Sequence, residues 1–202
     1  MPRKKTFSFK NLIHKNFRRL EQFIFLLKSL LTPRQFIYLS CVLVGISSAL
    51  AVIILKTFAH WVFKSSQKLD DILHLPFSNS TLPIIGIIIT VIIIKKVLDG
   101  SIEKGTSQIM YAVAKKRGIM PRKQMFAQII TSSFTVGMGG SAGLESPITI
   151  TGAAFGSNYA QNYRLSYKDR TLLLACGVAA GIGAAFNAPI AGVLFAIEVV
   201  LA

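Results

Sequence analysis

Gly137-Met138-Gly139-Gly140-Ser141-Ala142-Gly143-Leu144-Glu145-Ser146-Pro147 contains the one acid or base found between Gln124 and Tyr163. Four glycines in the first seven residues of this stretch cannot make a stable helix interior, where each costs about 1 kcal/mol relative to alanine. Pro147 suits the first turn of a helix, since its missing N–H would be unpaired there anyway. The reading is a helix over Gln124 to Val136, an irregular glycine-rich break, and a second helix from Ile148 to about Asn162. Non-helical backbone between two charge-free helices belongs in a membrane protein, where it lines a cavity or is buried in protein.

The rest of the chain has the same character. Of its 202 residues 52% are hydrophobic, the mean hydropathy is +0.55, and charge collects at the edges of apolar runs. Residues 35–55, 72–94, 124–144, 146–163 and 171–197 carry no Asp, Glu, Lys or Arg. About 20 helical residues cross the hydrocarbon layer, so these five stretches are candidates to cross or enter a bilayer. The first helix is expected from about Gln35 to Val62, with Lys56 and Lys64 able to reach a headgroup region. Pro83 is expected to open a second helix, Ile84 to Val97. Ile102 to Ala114 is too short to span and reads as a half-helix or re-entrant piece. Small residues such as Gly152, Ala153, Gly156 and Ser157, and again Gly177, Gly181 and Gly183 within Thr171 to Ala185, suit close helix approach. Asn187-Ala188-Pro189 breaks that segment and starts a last apolar piece through Ala202.

A formal charge of +15 would suggest nucleic acid in a soluble protein. Its placement argues for membrane topology: nine of the 23 basic residues lie in 1–34, with Glu21 the only acid there, which predicts a cytoplasmic N-terminus. Phe9, Leu12, Ile13, Phe17, Leu20, Phe23, Ile24 and Leu27 recur at helical spacing, so 1–34 reads as a basic amphipathic arm on anionic lipid headgroups. It lacks the continuous apolar core of a secretory signal. Cys41 and Cys176 sit in apolar runs and act as small hydrophobes. His14, His60 and His74 lie far apart in the sequence, and no metal spacing or cofactor site is expected.

Glu145 carries the chemistry. A carboxylate at membrane depth is expensive and marks a functional site by default. The free N–H groups of a helix start attract an anion, so Glu145 at that start is a tethered anion, vacating the position on protonation or displacement. The plain alternative is that Glu145 only complements the helix dipole.

Gly143-Leu144-Glu145-Ser146-Pro147, followed by Gly152-Ala153-Ala154-Phe155-Gly156, resembles the G-x-E-G-P motif and helix of the chloride channel (CLC) family of channels and proton-coupled antiporters. Ala184-Ala185-Phe186-Asn187-Ala188-Pro189-Ile190-Ala191-Gly192-Val193-Leu194-Phe195-Ala196-Ile197-Glu198 resembles that family's A-A-F-N-A-P-L-A-G-x-L-F-x-x-E signature. The resemblance runs from about Arg34 to Ala202. It implies an all-α polytopic membrane protein with an inverted-repeat helical fold, 35–202 supplying the first half only, in a homodimer. By that likeness Glu145 is the gating glutamate and the proton-pathway residue, amides near Gly143, Leu144, Glu145 and Ser146 contact the anion, and chloride is the substrate.

Three departures qualify the likeness. The family's G-S-G-I-P falls at Glu103-Lys104-Gly105-Thr106-Ser107, so Lys104 stands for the anion-coordinating serine and Ser107 for the proline. Lys104 is then a cationic ligand, or the site is rebuilt around Thr106 and Ser107, or Lys104 is an ordinary interfacial lysine. Val199 follows Glu198 where proton-coupled members often place a glutamate, which leans toward a channel; Glu198 itself is expected to be structural. The family's second half is absent, so a truncated, non-conducting membrane fragment is the rival reading, with an enzyme a distant third.

Overall fold

The computed structural model of the chain describes residues 31–73, 78–97 and 105–201. Lys104 and nearly all of the basic arm lie outside these residues. Seven helices are formed among the described residues, with no strand: α1 Pro33–Leu73, α2 Ser78–Val97, α3 Ser107–Lys115, α4 Gln124–Gly137, α5 Glu145–Asn162, α6 Tyr167–Phe186 and α7 Pro189–Leu201. The chain divides into two units, Met1–Ser40 and Cys41–Ala202.

In the first unit, α1 opens on a capping box. Thr32 N–H donates to Gln35 Oε1 (3.2 Å) and Gln35 N–H reaches Thr32 Oγ1 (3.5 Å), with Pro33 as first helical residue. The helix therefore starts two residues before the expected Gln35. It also runs past the expected Val62 to Leu73, 41 residues in all, because Lys64, Gln67 and Lys68 are good helix formers. At 1.5 Å per residue this is about 60 Å, twice the thickness of a hydrocarbon core. Pro83 does not open α2 but lies within it; a proline there forfeits one ladder bond, and the isoleucine-rich run carries the helix across it.

The second unit is organised by the hairpin of α5 and α6. A Cβ at Gly152 would lie 2.3 Å from Gly177 O, and one at Gly156 would lie 2.1 Å from Leu173 O. The two backbones touch, as small-residue faces allow, and the pairs 152 with 177 and 156 with 173 make the helices antiparallel. Ser166 caps α6, its Oγ accepting from Asp169 N–H at 3.2 Å. That cap starts α6 at Tyr167, one turn before the expected Thr171. Asn187, at φ 54°, ends α6 in the left-handed conformation, and Pro189 opens α7.

Two buried clusters hold the other helices on this hairpin. Ile109, Ala112 and Val113 of α3 share one with Ile150, Ala153 and Ala154 of α5, Leu174 and Val178 of α6, and Ala196 and Val199 of α7. Val52 and Leu55 of α1 share the other with Ile129 of α4, Ile148 of α5, and Ile182 and Ala185 of α6. α1 runs alongside α6 in the same direction, since Ser48 meets Gly177 and Val52 meets Gly181.

The α3–α4 loop is tied to the far end of the hairpin. Ser157 Oγ accepts from Met120 N–H (2.9 Å) and donates to Gly118 O (2.6 Å), Gln161 Nε2 donates to Met120 O (3.1 Å), and Arg122 donates to Asn162. Arg170 Nη1 donates to Arg117 O at 3.1 Å. Lys115, Lys116, Arg117, Arg122, Lys123, Arg164, Lys168 and Arg170 therefore gather at one end of the unit, with Asp169 among them. Charge is thus concentrated at one end of this unit, away from the charge-free helix runs.

Candidate functional site

The glycine-rich break forms a loop closed by its own backbone. Gly139 N–H donates to Val136 O (3.0 Å), Gly140 N–H to Thr135 O (2.9 Å) and Ala142 N–H to Gly140 O (2.9 Å). Gly139, at φ +90°, takes a conformation that only glycine reaches without strain. Ser141, Ala142 and Gly143 are exposed, and a Cβ on Gly143 would meet nothing within 4 Å.

Leu144 is the N-cap of α5, with no side-chain cap bond. Its own side chain packs on the cluster of Val52, Leu55, Ile148 and Ala185, which anchors the helix start to the core. Glu145 is the first helical residue, so the helix begins ahead of the expected Ile148, with Pro147 buried in its first turn. The first bond of the new helix is Ile148 N–H to Leu144 O at 3.0 Å. Among the described residues, no backbone carbonyl takes the N–H of Gly143, Leu144, Glu145 or Ser146. These orphan donors flank Glu145 along the chain, at the positive end of the α5 dipole. The Glu145 side chain is exposed on the surface of the chain and Ser146 is half-buried.

A second helix start has the same form. Thr106 is the N-cap of α3, again without a side-chain cap bond, and Ser107 is its first residue. Gly105 has φ +78°, so the glycine of the G-S-G-I-P alignment falls where a glycine is required. Ser107 falls at the first helical position, where a proline is favoured. The structure does not join Thr106 or Ser107 to Glu145 by any hydrogen bond among the described residues; the two starts are related through the shared core. Val113 O accepts from Tyr167 Oη (3.3 Å), so α3 ends beside the start of α6, at the basic end where α5 also ends. Both helix starts point away from it.

Two other expectations meet the structure here. Val199 is buried in the core beside Ile109 and Ala153, while Glu198 faces outward. Lys56 is exposed, and its Nζ donates to Ala185 O at 2.7 Å, in the last turn of α6. Sequence reading missed this contact, because it depends on how α1 lies against α6 and no spacing along the chain encodes that.

Residues 84–202 match the family described as voltage gated chloride channel. A putative chloride channel protein ClcB-like of Ralstonia nicotianae is 38% identical over 101 residues, 48% of this chain and 24% of the relative. Chloride channel protein CLC-c of Arabidopsis thaliana is 40% identical over 93 residues, 40% of this chain and 12% of the relative. An H(+)/Cl(−) exchange transporter ClcA of Yersinia pestis is 38% identical over 95 residues, 46% of this chain and 20% of the relative. The matched part of this chain thus spans no more than about a quarter of these relatives' lengths. No solved structure matches. Glu145 at an uncapped helix start, the alanine- and asparagine-bearing turn at 184–189, and a matched region covering more than half of the residues lead to one assignment: the chain belongs to the voltage gated chloride channel family of membrane proteins.

Proposed function

We propose that the protein carries chloride, or a similar small anion, across a lipid bilayer, with the start of α5 as part of the anion path and Glu145 as its gate and proton acceptor. One observation carries this reading: the N–H groups of Gly143, Leu144, Glu145 and Ser146 are left without backbone acceptors at the point where α5 presents a carboxylate. Helix starts attract anions through partial charges, strongly enough to bind and weakly enough to release. The carboxylate of Glu145 competes with chloride for those donors. Thr106 and Ser107 provide a second amide-lined contact at the start of α3, and Lys104, two positions before Thr106 in the sequence, adds a cation. The chain is a transport protein and not an enzyme. It sits in a plasma or inner membrane with its N-terminus and the basic end cytoplasmic, works as a homodimer, and contacts anionic lipid and not nucleic acid.

Reconstitution in chloride-loaded liposomes tests this. Glu145→Gln and Glu145→Ala are expected to change chloride efflux and to remove its response to pH. Efflux identical to the parent at every pH would take Glu145 out of the mechanism. The same assay tests a second reading, a membrane protein that does not conduct: no efflux from well-inserted protein would support it.

A further inference from the structure

The end of the helix hairpin that holds Glu145 also holds the C-terminus of α6. Ile148 packs on Gly181, Gly152 on Gly177 and Gly156 on Leu173, and carrying this pairing one turn further brings Glu145 level with Ala184 and Ala185. The negative pole of the α6 dipole and its last carbonyls therefore stand beside the start of α5, where they oppose any anion. Asn187 and Ala188 direct their N–H groups to Gly183 O, which leaves Ala185 O to be satisfied by another element. Lys56 satisfies it, with Nζ 2.7 Å away. No base occurs within α4, α5, α7 or α6 beyond Arg170, and Lys56 of α1 is the cation bonded to the last turn of α6. Its neighbour Leu55 is fully buried against Ile148 and Ala185, which fixes the side from which Lys56 approaches.

We propose that Lys56 is a positioning residue of the anion path: its ammonium, held on the last turn of α6, cancels that helix's negative pole so that the neighbouring start of α5 can hold an anion. The inference rests on the reading of α5 as an anion site. It gives Lys56 two separable roles, filling the orphan carbonyl of Ala185 and supplying a full positive charge against a pole of about half a charge.

Calorimetric titration of the purified 202-residue chain with chloride separates these roles. Lys56→Met and Lys56→Gln are both expected to weaken chloride binding about tenfold, the scale of a charge at a partly buried helix terminus, although Gln keeps a donor for Ala185 O. Lys56→Arg, which keeps the charge, is expected to stay within about twofold. Glu145→Gln, which removes the tethered competitor, is expected to tighten binding. Gln binding chloride as the parent does would overturn the charge role, as would Arg being as weak as Met. Parent-like affinity in both neutral variants while Glu145→Gln tightens binding sinks this inference alone. No chloride binding by the parent, or none of the variants differing from it, sinks the anion-site reading beneath it. A variant whose melting shows it unfolded is replaced by the other neutral one.

Discussion

Replacing Gly156 by alanine puts a methyl group 2.1 Å from Leu173 O, 2.6 Å from Leu173 C and 2.8 Å from Leu174 Cα. All three neighbours are backbone, so no side chain can swing aside, and α5 and α6 must separate by more than 1 Å to restore ordinary contact. That movement pulls Leu173 and Leu174, both fully buried, away from the helices they fill against. Overpacking of a rigid interior costs about 1–3 kcal/mol, and the absence of a flexible neighbour places Gly156→Ala at the upper end, about 3 kcal/mol. Gly152→Ala, 2.3 Å from Gly177 O, should cost nearly as much, and the pair should be less than additive because one separation relieves both clashes. Gly143→Ala is the control: its added carbon meets nothing within 4 Å, and its stability should stay within about 0.5 kcal/mol of the parent. Unfolding of the detergent-purified protein by sodium dodecyl sulfate, followed by circular dichroism, reads all three. A parent-like midpoint for Gly156→Ala would refute direct backbone contact between α5 and α6. So would a loss at Gly143 equal to that at Gly156.

Two further substitutions probe the ends of the hairpin. Ser157→Ala leaves Met120 N–H and Gly118 O without the hydroxyl that now serves both; it should cost about 1–3 kcal/mol and speed amide exchange in the loop at 118–123, and unchanged exchange there would show that the loop is held by other contacts. Asn187 ends α6 at φ 54°, so Asn187→Gly should be neutral while Asn187→Val should lose about 1–2 kcal/mol; equal midpoints for the two would contradict a left-handed cap.

Much of this architecture is legible along the chain because its signals are local. The glycine run ends α4 at Gly137, Asn187 and Pro189 separate α6 from α7, and the small residues at 152, 156 and 177 announce close contact. Where reading fell short, local signals competed. Pro147 is tolerated inside the first turn of α5 and Pro83 in the second turn of α2, so neither marks the first residue. The polar segment after Val62 stays helical because its residues favour helix even without an apolar face. Residues 1–30 of the basic arm and Lys104 lie outside the described residues, and their expected roles stand as sequence readings.

Hydrophobic runs, the break at 137–147 and the acid within it, properties that neighbouring residues impose on one another, were enough to establish helices in a membrane and to single out Glu145. Which helices touch was decided only by the folded chain, since contact between α1 and α6 joins residues 129 positions apart in sequence and no periodicity records such a distance. The antiparallel packing of α5 on α6 brings a positive and a negative helix pole to the same level, and it is there, not in any motif, that Lys56 acquires its meaning.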